Sequence, residues 1–117
     1  MLTRYGKELR KIRLERNLTM TEMAKALGIT STFLSMIENG QRNIPEDVTS
    51  KVCSLYHLSN DEQLVLQKSE YASRKVLKMN LAGMETERKE LLLRLSDNIT
   101  SLTSSQIKQM NHIMGVN

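Results

Sequence analysis

The chain has 117 residues, enough for one compact domain with a small appendage and too few for two large ones. Hydrophobic residues make up 39% of it, so a core can be buried; at 3% aromatic, that core must come from Leu, Ile, Val and Met, and no base-stacking platform for single strands is available. The net charge is +4, and no apolar run reaches the ~18 residues of a membrane span. Cys53 is the only cysteine, so it has no intrachain partner; it reads as a partly buried small residue, and with no secretory pattern at the N-terminus the expected setting is cytoplasmic. His57 and His112 are far apart without further ligands nearby, so neither a metal nor a cofactor is expected.

The first element is a basic helix. Arg4, Lys7, Arg10, Lys11, Arg13 and Arg16 stand against Glu8 and Glu15, so residues 1–17 alone carry +4 and the rest of the chain balances to zero. A solvated basic helix would look the same. Attraction to phosphates explains why the excess is local, and it predicts salt-sensitive binding.

Two short amphipathic helices follow between Leu18 and Gly40, joined by three residues. Thr19 and Glu22 form a capping box that opens the first, and Met23, Ala24 and Leu27 share its inner face. Gly28 ends it, because glycine adopts the left-handed backbone of a sharp stop at little steric cost. Ile29 and Thr30 complete the turn, with Thr30 as cap of a helix whose inward positions are Leu34 and Ile37, and Gly40 closes it. An αα-hairpin inside a helical bundle would show the same caps and spacing. The outward face distinguishes them: Ser31, Thr32, Ser35 and Met36 carry no charge, whereas the exposed side of a surface helix ordinarily carries Lys and Glu. A small, uncharged polar face fits a groove better than bulk water.

Pro45 suits the first position of a fourth helix, with Glu46 and Asp47 near its positive end and Val48, Val52 and Leu55 as its inward stripe. Ser59 and Glu62 form a second capping box, opening a fifth helix that ends near Ser73 or Arg74. Its apolar residues Leu64, Leu66 and Tyr71 do not make one clean stripe. Residues 76–82 then alternate Leu77, Met79 and Leu81 with Lys78 and Asn80, the period of a strand, and Gly83 stops it. A lone strand leaves backbone groups unpaired, so the expected partner is the same strand of a second copy, with Leu77, Met79 and Leu81 in the dimer contact. An extended linker or a continued helix are the alternatives. Two helices complete the chain: 85–99, with Leu91, Leu92, Leu95 and Ile99 on one face, and 104–114, opened by Thr103 with Gln106 and carrying Ile107, Met110, Ile113 and Met114. So short a region holds little core of its own, which again favours packing against a second copy.

The run from Tyr5 to Leu58, with LRKIR, LTMTEMAKALGI, FLSMIENG and RNIP in this order, resembles the lambda-repressor-like helix-turn-helix domain of the xenobiotic-response-element type, found in phage repressors and many bacterial regulators. The resemblance covers about half the chain. It implies a five-helix DNA-binding domain, set here at 1–74; with the short strand and two C-terminal helices of 75–117, read above as a dimerisation region, the chain is expected to be mainly α. It also implies that the third helix enters the major groove of double-stranded DNA. Ser31, Thr32 and Met36 match positions that contact bases, with Ser35 beside them. Met20 opens the second helix where the family often carries Gln. Asn39 and Asn43 match positions that contact the DNA backbone, and Arg42 lies between them; Met20, Thr21, Phe33 and Gln41 complete that expected set, though Phe33 at helical spacing with Ile37 could equally be core. Arg13 and Glu38 match a structural salt bridge between the first and third helices.

The expected function is that of a dimeric repressor on an inverted-repeat operator, autoregulatory and from a phage or other mobile element. The alternative is an antitoxin, or similar interaction module, whose C-terminal half neutralises a protein partner. No paired carboxylates, Cys with His, or Gly-rich phosphate loop form a catalytic pattern, so an enzyme is not expected. With no bidentate Arg or Gln on the reading face, DNA shape and the dimer are expected to supply much of the specificity.

Overall fold

A computed structural model describes residues 1–116. The chain divides into two compact units, Met1–Leu77 and a second that begins at Lys78. The first holds five helices: α1 (Arg4–Glu15), α2 (Met20–Leu27), α3 (Ser31–Glu38), α4 (Val48–Leu55) and α5 (Asn60–Ser73). Helix α1 packs against α5 and α3, α2 against α3 and α4, and α4 against α5.

Local chemistry sets most helix ends. The capping boxes at Thr19 with Glu22 and at Ser59 with Glu62 are both formed, and Thr3 and Thr30 cap α1 and α3 through their hydroxyls. The exits of α1 to α4 repeat one motif. A residue with positive φ (Asn17, Gly28, Gly40, His57) lets the next amide reach back to the last turn, with Leu18 bonding Arg13 at 2.9 Å and Ile29 bonding Ala24 at 3.0 Å. Gln41 reaches Met36 at 2.9 Å and Leu58 reaches Cys53 at 3.1 Å in the same way.

The core collects Tyr5, Leu9 and Ile12 of α1, Met23, Ala24 and Leu27 of α2, and Leu34 and Ile37 of α3. Ile44, Val48, Val52, Leu58 and Leu66 close it from the other side. Each such Leu, Ile or Val contributes on the order of 2 kcal/mol by leaving water. Helix α4 differs from expectation at both ends: Pro45 sits in a turn whose carbonyl accepts from Val48, and Leu55, in the last turn, is exposed. A polar chain runs through the core beside α5. The Tyr5 hydroxyl bonds Thr49 at 2.8 Å, Thr49 bonds the Glu70 carboxylate, and Arg74 Nε donates to the same carboxylate at 2.7 Å.

The second unit holds α6 (Thr86–Asn98), a 3-10 turn (Ile99–Ser101) and α7 (Ser104–Ile113), the last opened by the expected box of Thr103 with Gln106. Neither helix contains a buried residue. Leu92, Leu95, Leu102 and Met110 are half-buried, while Leu91, Leu93, Ile99, Ile107 and Ile113 are exposed.

The strand expected over 76–82 is not formed; no strand occurs among the described residues. Alternating apolar and polar residues suit any extended segment, but a strand exists only where a neighbouring edge supplies ladder hydrogen bonds, and none is there. Val76, Leu77, Met79 and Leu81 are exposed, and the segment ends in a turn where Met84 bonds the Leu81 carbonyl at 3.0 Å. The regular elements of the described residues are therefore all helical, and the two-stranded ribbon drawn from the alternation has no strand to build on.

Candidate nucleic-acid interface

Helix α3 is held by its inner face and its C-terminal end. Leu34 and Ile37 are fully buried. Glu38 accepts from Arg13 Nη2 at 3.0 Å and from Nη1 at 2.5 Å, and Arg13 also touches the Met23 sulfur at 3.4 Å. Thr3 fixes the same end through the backbone, since its amide (2.9 Å) and hydroxyl (3.0 Å) both donate to the Glu38 carbonyl. Gly6 permits this approach. A Cβ there would stand 2.3 Å from the Glu38 oxygen.

The opposite face is open. Thr32 is exposed, and Ser31, Ser35 and Met36 are half-exposed. Ser31 Oγ lies 3.3 Å from Thr21 Oγ1 in the first turn of α2, which ties the N-terminal ends of the two helices together. Asn39 donates its side-chain amide to the Ser35 carbonyl at 2.9 Å and lies 3.4 Å from Ser35 Oγ, so it caps α3 while its own carbonyl remains available. Gln41, Arg42 and Asn43 follow in an exposed loop. The structure therefore brings Thr21, Ser31, Thr32, Ser35, Met36 and Asn39 onto the α2–α3 surface, with the 41–43 loop beside it. Met20 and Phe33 differ. Both are half-buried against the core, so their side chains chiefly wall the hairpin.

The basic residues of α1 divide into two groups. Arg13 is spent on Glu38, and Arg16 donates to the Tyr56 carbonyl at 3.1 Å, lies 5.9 Å from that ring's centre and sits 3.8 Å from Glu62. Arg4, Lys7 and Arg10 are exposed; Lys11, also exposed, shares a groove with Glu8, Glu15, Asp61 and Glu62, whose carboxylates offset its charge. The charge available to a polyanion is thus smaller than the count over residues 1–17 implies. Leu77, Met79 and Leu81 lie away from these residues in sequence, on the unpaired segment described above.

The contact of Thr3 and Gly6 with the end of α3 was not visible in the sequence. It joins residues 35 positions apart and leaves no periodic trace. Cys53 is half-buried on α4, and burial pushes its thiol pKa up, so it stays protonated near neutrality. No group of three or more metal-ligating side chains occurs among the described residues, and no helix there is long and apolar enough to cross a membrane.

A helix-turn-helix family model matches residues 9–62, just under half the chain and the span that contains α2 and α3. Among curated proteins, the chain is 40% identical over 47 residues to the HTH-type transcriptional repressor RghR of Bacillus subtilis, a stretch covering 40% of this chain and 35% of that one. It is 43% identical over 47 residues to the uncharacterized HTH-type transcriptional regulator RghRB of the same organism, covering 40% and 34%. It is also 45% identical over 56 residues to the ImmF control region 10 kDa protein of Bacillus phage phi105, covering 47% and 61%. The chain thus spans about a third of the two bacterial relatives' length. No solved structure matches it significantly.

Proposed function

We propose that this protein is a sequence-specific, double-stranded DNA-binding transcriptional regulator, acting as a repressor by occupying a promoter. The observation that carries the reading is the two-sidedness of α3: one face and the C-terminal end are fixed by Leu34, Ile37, Glu38, Arg13 and Thr3, while the other presents uncharged Ser31, Thr32, Ser35 and Met36. The match to the helix-turn-helix model and the repressor name of one relative support it.

In this mechanism α3 lies in the major groove. The hydroxyls of Ser31, Thr32 and Ser35 donate to or accept from base edges, and Met36 meets a thymine methyl. Thr21, Asn39, Gln41, Arg42 and Asn43 hold the phosphates on either side and set the register. None of the four reading residues makes a bidentate contact, so groove shape and doubling of the site carry much of the discrimination.

The doubling comes from a homodimer. Among its described residues the second unit buries none, so the leucines of α6 and the apolar residues of α7 gain most by packing against a second copy, and two-fold symmetry then calls for an inverted-repeat operator. A setting in a phage or mobile element, with control of its own promoter, is supported by the likeness to the phage control-region protein. Selection of bound sequences from a random double-stranded DNA pool tests the whole reading. An enriched palindrome is expected, and a pool with no enriched motif contradicts it.

A further inference from the structure

Beyond the loop that follows α3, a small cleft is lined by Thr3, Gly40, Arg42, Asn43, Arg74 and Lys75, among others. Its charged lining residues are all cationic; no carboxylate lines it among the described residues. Arg74 is internally balanced, since its Nη2 lies 2.5 Å from Glu70 Oε2 and both side chains are largely buried. It therefore adds little free charge to the cleft. Lys75, the next residue, is exposed and makes no ion pair among the described residues, and the same holds for Arg42. Two uncompensated cations at one cleft repel each other and raise the local positive potential, a cost that a bound polyanion turns into attraction.

The cleft also continues the reading surface. Arg42 and Asn43 follow α3 directly, and Thr3 bonds the α3 terminus, so Lys75 extends the same edge to the end of α5. The other end of α5 has the opposite character: there Lys11 shares a groove with Glu8, Glu15, Asp61 and Glu62. We infer that the DNA-backbone contact runs from the α3–α4 loop across this cleft to Lys75, which binds a phosphate as the chain leaves the first unit. The inference rests on the DNA-binding reading above and adds to it a phosphate contact outside the helix-turn-helix match. A phosphate contact carries no sequence information, so Lys75 adds affinity without selectivity.

Salt-dependent binding of the full chain tests this on two duplexes, the selected operator and an unrelated sequence. Lys75→Ala should weaken both by a similar factor, about threefold to tenfold, and should reduce the slope of log affinity against log salt by about 0.9, the loss of one phosphate contact. Lys11→Ala, at the acidic end, should leave slope and affinity unchanged. In a parallel readout, either duplex at low salt should slow tryptic cleavage after Lys75. An unchanged slope for Lys75→Ala, or an equal loss for Lys11→Ala, overturns the inference while leaving the DNA-binding reading intact. A wild-type chain that binds neither duplex overturns both.

Discussion

Arg13 of α1 and Glu38 of α3 form a two-pronged ion pair with side-chain exposures of only 7% and 2%, so the last turn of the candidate reading helix is clamped to the first helix inside the core. Removing one partner strands the other charge away from water. Arg13→Ala should therefore cost about 3 kcal/mol, whereas replacing both by apolar residues of similar volume should recover much of that loss. Urea denaturation checks it. Equal midpoints for wild type and Arg13→Ala would show that the pair does not stabilise the domain.

Gly6 sets how closely α1 approaches the end of α3. A methyl group there would overlap the Glu38 carbonyl at 2.3 Å, and backbone cannot yield as a side-chain tip can. Gly6→Ala should cost about 1–3 kcal/mol by overpacking. If the variant were instead stabilised, as an alanine in an open helix would be, the close approach would be wrong.

Tyr5 gives the chain an alkaline limit. Burial holds its phenol pKa well above the ordinary value of 10.0, although the bond to Thr49 opposes this. Because the folded pKa is the higher one, the unfolded chain releases this proton first. The associated stability is then present below about pH 10 and falls as pH rises beyond it. Tyr5→Phe should show a shallower loss of stability between pH 10 and 11 than wild type. Part of the slope should remain, since burial also raises the Tyr56 pKa. Identical slopes in thermal melts across that range would argue against the buried phenol.

The second unit is expected to hold its helices only in a pair. Leu92 and Leu95, the half-buried residues of α6, are the positions where charge should be least tolerated. Leu92→Glu combined with Leu95→Glu should give a monomer by light scattering and lower operator affinity, because one half-site contact is lost. A dimer of unchanged mass would place the contact elsewhere.

The features legible in the sequence were local. The boxes of Thr19 with Glu22, Ser59 with Glu62 and Thr103 with Gln106 each bind residues three apart, and the stops at Gly28 and Gly40 follow from one residue's backbone freedom. Asn17 and His57 perform the same stop without being glycine, and no composition cue marks them. Pro45 signalled a helix start three residues too early, because it sits in the turn before Val48. Over 76–82 the alternation suggested a strand that does not form, since a strand depends on a partner edge that no spacing in the sequence supplies. Within the candidate site, the open face of α3 could be read from helical spacing. The Ser31–Thr21 contact and the Tyr5–Thr49–Glu70 chain could not, because each depends on how elements meet.

The central claim is that the outer face of α3 reads DNA, and one comparison tests it most directly. The affinity of wild type for its selected operator is set against that of a variant with Ser31, Thr32 and Met36 all replaced by Ala, with the thermal midpoint of each measured alongside. Those side chains contribute little to the core, so the account predicts an essentially unchanged midpoint and operator affinity reduced to the non-specific level. Unchanged operator affinity in the folded variant would contradict it.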